Sequence, residues 1–159
     1  MSFTKTQTRF CFSRASRLLK PSEFQTVFDA RKACRGQWLT VHRYQPSQSR
    51  ARSETEQTDI IESTNASSRL GLIVAKRLVA ASARRNLIRR VLREYFRTTP
   101  ASFPPGDWII RLHESPFRVK KGAVAPTRLQ VVTNLRTDVM QLMNRVAGQI
   151  KKESPGNPT

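Results

Sequence analysis

Between Lys76 and Arg97 the sequence sets eight basic side chains, Lys76, Arg77, Arg84, Arg85, Arg89, Arg90, Arg93 and Arg97, against one acid, Glu94. A guanidinium group is planar, permanently charged and carries its donors in a fork that matches phosphate oxygens. The chemistry this pattern favours is the gripping of a polyanion. Nothing comparable serves bond making or breaking. The histidines, His42 and His113, fall on separate expected strands, and no close carboxylate pair marks a two-metal nuclease. Asp107 and Glu94 read as a turn residue and a helix-surface residue. Cys11 and Cys34 lie outside any C-x-x-C or Cys/His spacing, so no zinc site is indicated. No catalytic residue, protein-bound metal or small-molecule ligand is expected.

The element that must carry these arginines is a helix over Ser82 to Arg97. On a wheel of about 100° per residue, Leu87, Ile88, Val91, Leu92, Tyr95 and Phe96 share one half. Asn86, Arg89, Arg90, Arg93 and Arg97 share the other, with Arg85 at the border and Arg84 on the apolar side in the first turn or just before it. An ordinary solvated face mixes signs to gain i,i+4 pairs, whereas here like charges stack at Arg85, Arg89, Arg93 and Arg97. Arg84 and Arg85 also stand at the positive end of the helix dipole, where cations are disfavoured and anions are welcome. Several local rules are broken in one direction, which points to function.

Composition agrees. The 159-residue chain holds 29 Lys+Arg against 11 Asp+Glu, a formal charge of +18, and its size fits one domain. No apolar run is long enough for a membrane span or a signal peptide. Charge alone leaves several partners open. These are structured RNA bound by a ribosomal-protein-like module, duplex DNA bound by a helix-turn-helix, and an anionic membrane surface.

The remaining elements interleave. Residues 1–16 read as a flexible basic N-terminus, 17–152 as the domain and 153–159 as a tail. Phe24, Val27 and Phe28 give a short helix after Pro21, with Ser22 a possible cap. Strands are expected over Gln37–Tyr44, Arg69–Ala75 and Asp107–Leu112, the last two able to pair in parallel around the arginine helix. Segment 45–68, which holds Glu54, Glu56, Asp59 and Glu62, reads as a disordered insertion. Glu114 to Ala125 is a basic loop with Arg118, Lys120 and Lys121. A final helix, about Pro126 to Lys151, has a stripe of Leu129, Val132, Leu135, Val139, Leu142, Val146 and Ile150. The class is α/β or α+β around one sheet.

The run RLGLIVAKRLVAASARRNLIRRVLREYFR, Arg69 to Arg97, resembles the bacterial ribonuclease P protein component. Arg69, Gly71, Leu72, Val74, Ala75, Lys76 and Arg77 fit the first half of the family's central motif, and Arg85, Asn86, Arg89, Arg90, Arg93 and Glu94 fit the second. RLLKPSEFQTVF from Arg17 and DWIIR from Asp107 match two further family segments in the same order. Leu87 stands where the family has a second Arg, and the chain after Leu112 matches poorly.

The resemblance implies a small two-layer sandwich with a four-stranded sheet, two main helices on one side and a left-handed βαβ crossover. It implies a cytoplasmic accessory subunit of an endoribonuclease whose partner RNA binds Mg²⁺ and cleaves the 5′ leader from precursor tRNA. Lys76, Arg77, Arg84, Arg85, Asn86, Arg89, Arg90 and Arg93 would contact the catalytic RNA. Phe24, Phe28 and Trp38 would line the cleft for the leader; core packing is the alternative for the two phenylalanines.

Overall fold

The fold follows from a sheet with two unlike faces. In a computed structural model, which describes residues 12–45, 68–119 and 121–153, the elements run α1 (Pro21–Asp29), β1 (Ala33–Arg35), β2 (Leu39–Tyr44), β3 (Ser68–Ile73), α2 (Ser82–Thr98), β4 (Gly106–Leu112) and α3 (Arg128–Glu153). The four strands form one sheet in the order β1-β2-β4-β3. β2 pairs antiparallel with β1 and β4, with Val41 opposite Ile110, while β3 pairs parallel with β4, with Leu72 opposite Ile110. The expected parallel pair around α2 is present.

Strict alternation along β2 sorts the faces. Leu39 and Val41, with Trp108, Ile110 and Leu112 of β4, join Ile88, Val91 and Leu92 of α2 and Leu135, Val139 and Leu142 of α3 in the main core. Each such fully buried aliphatic side chain contributes roughly 1.5–3 kcal/mol relative to exposure. The opposite face is covered by α1, whose Val27 packs with Leu18 and Ile109, flanked by Phe24, Phe28, Tyr44 and Ile73. α2 and α3 thus share one side and α1 takes the other.

Several boundaries differ from expectation. β1 has only three residues and shows no alternation long enough to read. Lys20, not Ser22, occupies the N-cap of α1, and Pro21 is its first residue. The N-terminal stretch is tied down before Arg17: Phe12 packs edge-on against Phe96 at 5.7 Å, and Ser16 O accepts the Leu70 N–H at 2.9 Å. This segment covers the outer edge of β3, where Leu18 N–H returns a bond to Leu70 O. Of segment 45–68, Ser68 opens β3 and Gln45 follows β2, and residues 46–67 lie outside the described residues.

α3 begins at Arg128, and its buried stripe runs Val131, Leu135, Val139, Leu142 and Val146, so Leu129 is 75% exposed in the first turn. The helix reaches Glu153, which is no tail residue. Its carboxylate pairs with the buried Arg43 of β2 at 2.7 Å and with Lys32 at 2.9 Å. Hydrogen bonds from Lys32 and Arg43 hold the Glu153 carboxyl below the usual range. Among the described residues, no helix is long and apolar enough to cross a membrane.

Candidate nucleic-acid interface

The amphipathic period of α2 places its arginines as the wheel requires. Ile88, Val91, Leu92 and Phe96 are buried, while Asn86, Arg90 and Arg93 are exposed and Arg89 is half-exposed. Among the described residues, Arg84, Arg85, Arg89, Arg90 and Arg93 form no salt bridge, and only Arg90 among them helps to hold the Glu94 carboxyl down. Arg93 Nε merely donates to Arg89 O of its own helix at 3.3 Å. Arg97 is different: it pairs with Glu94, whose carboxyl that contact holds below its ordinary pKa. The lone acid of α2 therefore pairs with the last arginine and leaves the first three turns positive.

The two arginines at the head of α2 do separate jobs. Ala81 caps the helix without a side-chain bond. Arg85 folds back, and its Nη1 donates to Val79 O at 3.0 Å and to Ala80 O, so it braces the loop that carries Lys76 and Arg77. Both of these stand exposed beyond β3. Arg84 points to the chain between β4 and α3, where its guanidinium lies 4.8 Å from the centroid of the Phe117 ring. The basic surface thereby passes from α2 to Arg118 and Lys121, both exposed. Lys120 lies outside the described residues.

The aromatic trio is not gathered in one place. Phe24 and Phe28 sit half-buried together in the small cluster under α1. Phe28 meets His42 edge-on at 4.8 Å, and burial, with the Arg111 charge, pushes the His42 pKa down. Phe24 lies over Gly71, where a Cβ would come within 2.6 Å of Phe24 Cε1; the bare backbone of β3 is what admits the ring. Trp38 instead packs against the main core and borders a hollow with Gln37, Pro116 and Val119. The sheet face beside α1 carries Arg35, Thr40, Arg111 and His113 in its place. Arg35 Nε donates to His113 Nε2 at 3.2 Å, which leaves Nδ1 as the protonated nitrogen facing Thr40 Oγ1 at 3.0 Å. Burial, then the Arg35 charge, keeps that imidazole below its usual pKa.

Two structural carboxylates escaped the sequence reading. Glu23 accepts the backbone N–H groups of Leu19 and Lys20 at 2.8 and 2.9 Å and pairs with Arg69 at 2.6 Å. Those bonds bring its pKa down to about 2, the Lys20 N–H contributing most. Arg69 also grips Asp107 at 2.7 Å with two nitrogens, so the first arginine of the central motif ties α1 to β3 and β4. Asp138 of α3 is the second. Phe117 was also missed, although an aromatic beside Arg118 in a basic loop was its visible signal. Among the described residues, no group of three or more His, Cys, Asp or Glu side chains could hold a metal ion.

The family model described as Ribonuclease P matches residues 12–142. The ribonuclease P protein component of Azoarcus sp. (strain BH72) is 33% identical over 124 residues, covering 78% of this chain and 89% of that one. That of Burkholderia mallei (strain SAVP1) is 28% identical over 152 residues, covering 96% of this chain and 97% of its own length. The RNase P protein of Staphylococcus aureus shares the fold with a TM-score of 0.54 at 18% identity, covering 84% of this chain and 96% of that one. The arginine motif on α2, the β3–α2–β4 unit that carries it and these matches agree, and the chain belongs to the ribonuclease P protein component family.

Proposed function

We propose that this protein acts in the cytoplasm as the protein subunit of a ribonuclease P, binding the catalytic RNA through α2 and the 5′ leader of precursor tRNA through the sheet face beside α1. One observation carries the reading: Arg89, Arg90 and Arg93 stand on one helix and form no salt bridge with any carboxylate among the described residues. Preorganised, unneutralised guanidinium groups bind phosphates at little cost in ordering. Phosphate contacts fix position without reading sequence, as suits a folded RNA partner. Phe24 and Phe28, half-exposed, offer ring faces to an unpaired strand, and Arg111, exposed two residues along β4 from Ile109, offers charge on the same sheet face. Cleavage then belongs to the RNA with its Mg²⁺, and the protein supplies grip and alignment.

The test is processing of precursor tRNA by the cognate catalytic RNA at low Mg²⁺, with and without the protein. Stimulation is expected. Tight binding to structured RNA with no stimulation would instead fit a ribosomal-type role and reject the subunit reading.

A further inference from the structure

We infer that the hollow between α2 and the β4–α3 connection is a subsite for an unpaired nucleotide of an RNA strand, with the Arg84–Phe117 pair as its stacking platform. The inference deepens the RNA-binding reading above and rests on it. The hollow measures about 480 Å³ and is lined by Arg84, Asn86, Leu87, Arg90, Phe117 and Arg128 among others. That volume accommodates one nucleotide and lies within the range of small-molecule pockets.

Its chemistry is divided. Leu87, Phe117 and Pro126 supply an apolar floor, whereas Arg84, Arg90, Arg128 and Asn86 supply donors, and among the described residues no acid lines it. A simple anion would leave the floor unused, and an apolar ligand would strand the guanidinium groups. A flat base carrying a phosphate satisfies both. The Arg84 guanidinium is held over one face of the Phe117 ring, so a base can stack on the outer plane of that guanidinium without first ordering a long side chain. Asn86 brings a side-chain amide able both to donate and to accept, suited to a base edge. Arg90 and Arg128 approach from α2 and α3 and can share a phosphate.

The strand has a way onward. Across the Arg84–Phe117 pair lies a second hollow of about 510 Å³, bordered by Arg77, His113, Arg118 and one acid, Glu114. A duplex is too stiff and wide to enter either hollow with its bases, so the site selects unpaired RNA.

The experiment uses the full chain and three fluorescent probes: a single-stranded oligo(A) octamer, an RNA hairpin duplex of equal phosphate count, and free AMP. Phe117→Leu keeps an apolar packing group but removes the ring face. It should weaken octamer binding about five- to hundredfold and leave hairpin binding unchanged, and Phe117→Tyr should restore the octamer. Arg128→Gln should weaken the octamer more than the hairpin. Equal effects of Phe117→Leu on octamer and hairpin, or none on either, would overturn the inference. So would AMP binding as tightly as the octamer, because the site would then serve a free nucleotide. These readouts need no tRNA processing, so they can fail while the subunit reading stands, and the reverse.

Discussion

Asp138, buried in the middle of α3, accepts the backbone N–H of Leu39 at 3.0 Å. The same carboxylate takes the N–H groups of Gln37 and Trp38, each at 2.9 Å. One side chain thus closes the turn between β1 and β2 from the far side of the sheet. Gly36 completes the arrangement, because a Cβ there would run into Asp138 Oδ1 and come within 2.9 Å of Leu142 Cδ1. Removing the carboxylate strands three donors in or near the core. Asp138→Ala should therefore lower stability by about 2–4 kcal/mol. Urea unfolding checks this as a lower midpoint at unchanged slope; a shift below about 0.5 kcal/mol would show that water replaces the carboxylate without loss.

The acid side of the stability curve should depend on Glu23. Its carboxyl is lowered from 4.5 to about 2 by the Lys20 and Leu19 N–H groups and by Arg69. A carboxyl depressed in the folded state stabilises fully above its unfolded pKa and loses that contribution as pH falls through the folded value. The window is thus from 4.5 down to about 2. Glu23→Gln should flatten the fall in stability across that window and lower stability at neutral pH. Thermal melts of both proteins at stepped pH decide it; parallel curves would contradict the assignment.

Charge reversal at Arg89 and Arg93 should separate binding from folding. Neither guanidinium forms a salt bridge among the described residues, and both project from the side of α2 opposite the buried Val91. Arg89→Glu with Arg93→Glu should weaken binding to the catalytic RNA and make its salt dependence shallower, while the melting temperature stays within a few degrees. An unchanged salt slope would place the RNA on another surface. Arg85→Glu should behave differently and cost folding stability as well, since Arg85 braces the loop at Val79 and Ala80.

The legibility of these features tracks how local their causes are. α2 could be read to within one residue of Arg97 because its apolar period and its charges both repeat along one element. β2, β3 and β4 were visible as apolar or alternating runs, and the parallel pairing of β3 with β4 followed from the helix between them. β1 was not, because three residues cannot display a period. In α3 the expected stripe included Leu129, yet the face that meets the core starts at Val131, since only packing decides which of two neighbouring apolar rows turns inward. Asp138 could not be found at all. An acid inside a helix reads as solvated until the turn it serves, a hundred residues earlier in the chain, is placed against it. The grouping of the expected leader-binding aromatics was not legible: Phe24 and Phe28 share a cluster, and Trp38 belongs to another.

Gly71 offers the sharpest test of the α1 face. A methyl group there would sit 2.6 and 2.9 Å from Phe24 Cε1 and Cζ and 3.2 Å from Leu18 Cδ1, so the ring must move. The backbone of β3 cannot yield easily, since it is paired to β4 on one side and bonded to Ser16 and Leu18 on the other. Gly71→Ala should thus tilt α1 and displace Phe24 without touching α2. Phe24→Ala removes the ring directly and should weaken precursor tRNA relative to mature tRNA about fivefold or more. Gly71→Ala should move that ratio in the same direction while leaving affinity for the catalytic RNA unchanged. Both are read by binding of the assembled complex to the two tRNA forms. Equal weakening of precursor and mature tRNA would remove the leader from this face, and loss of catalytic-RNA affinity would mean that the two faces of the sheet are not independent.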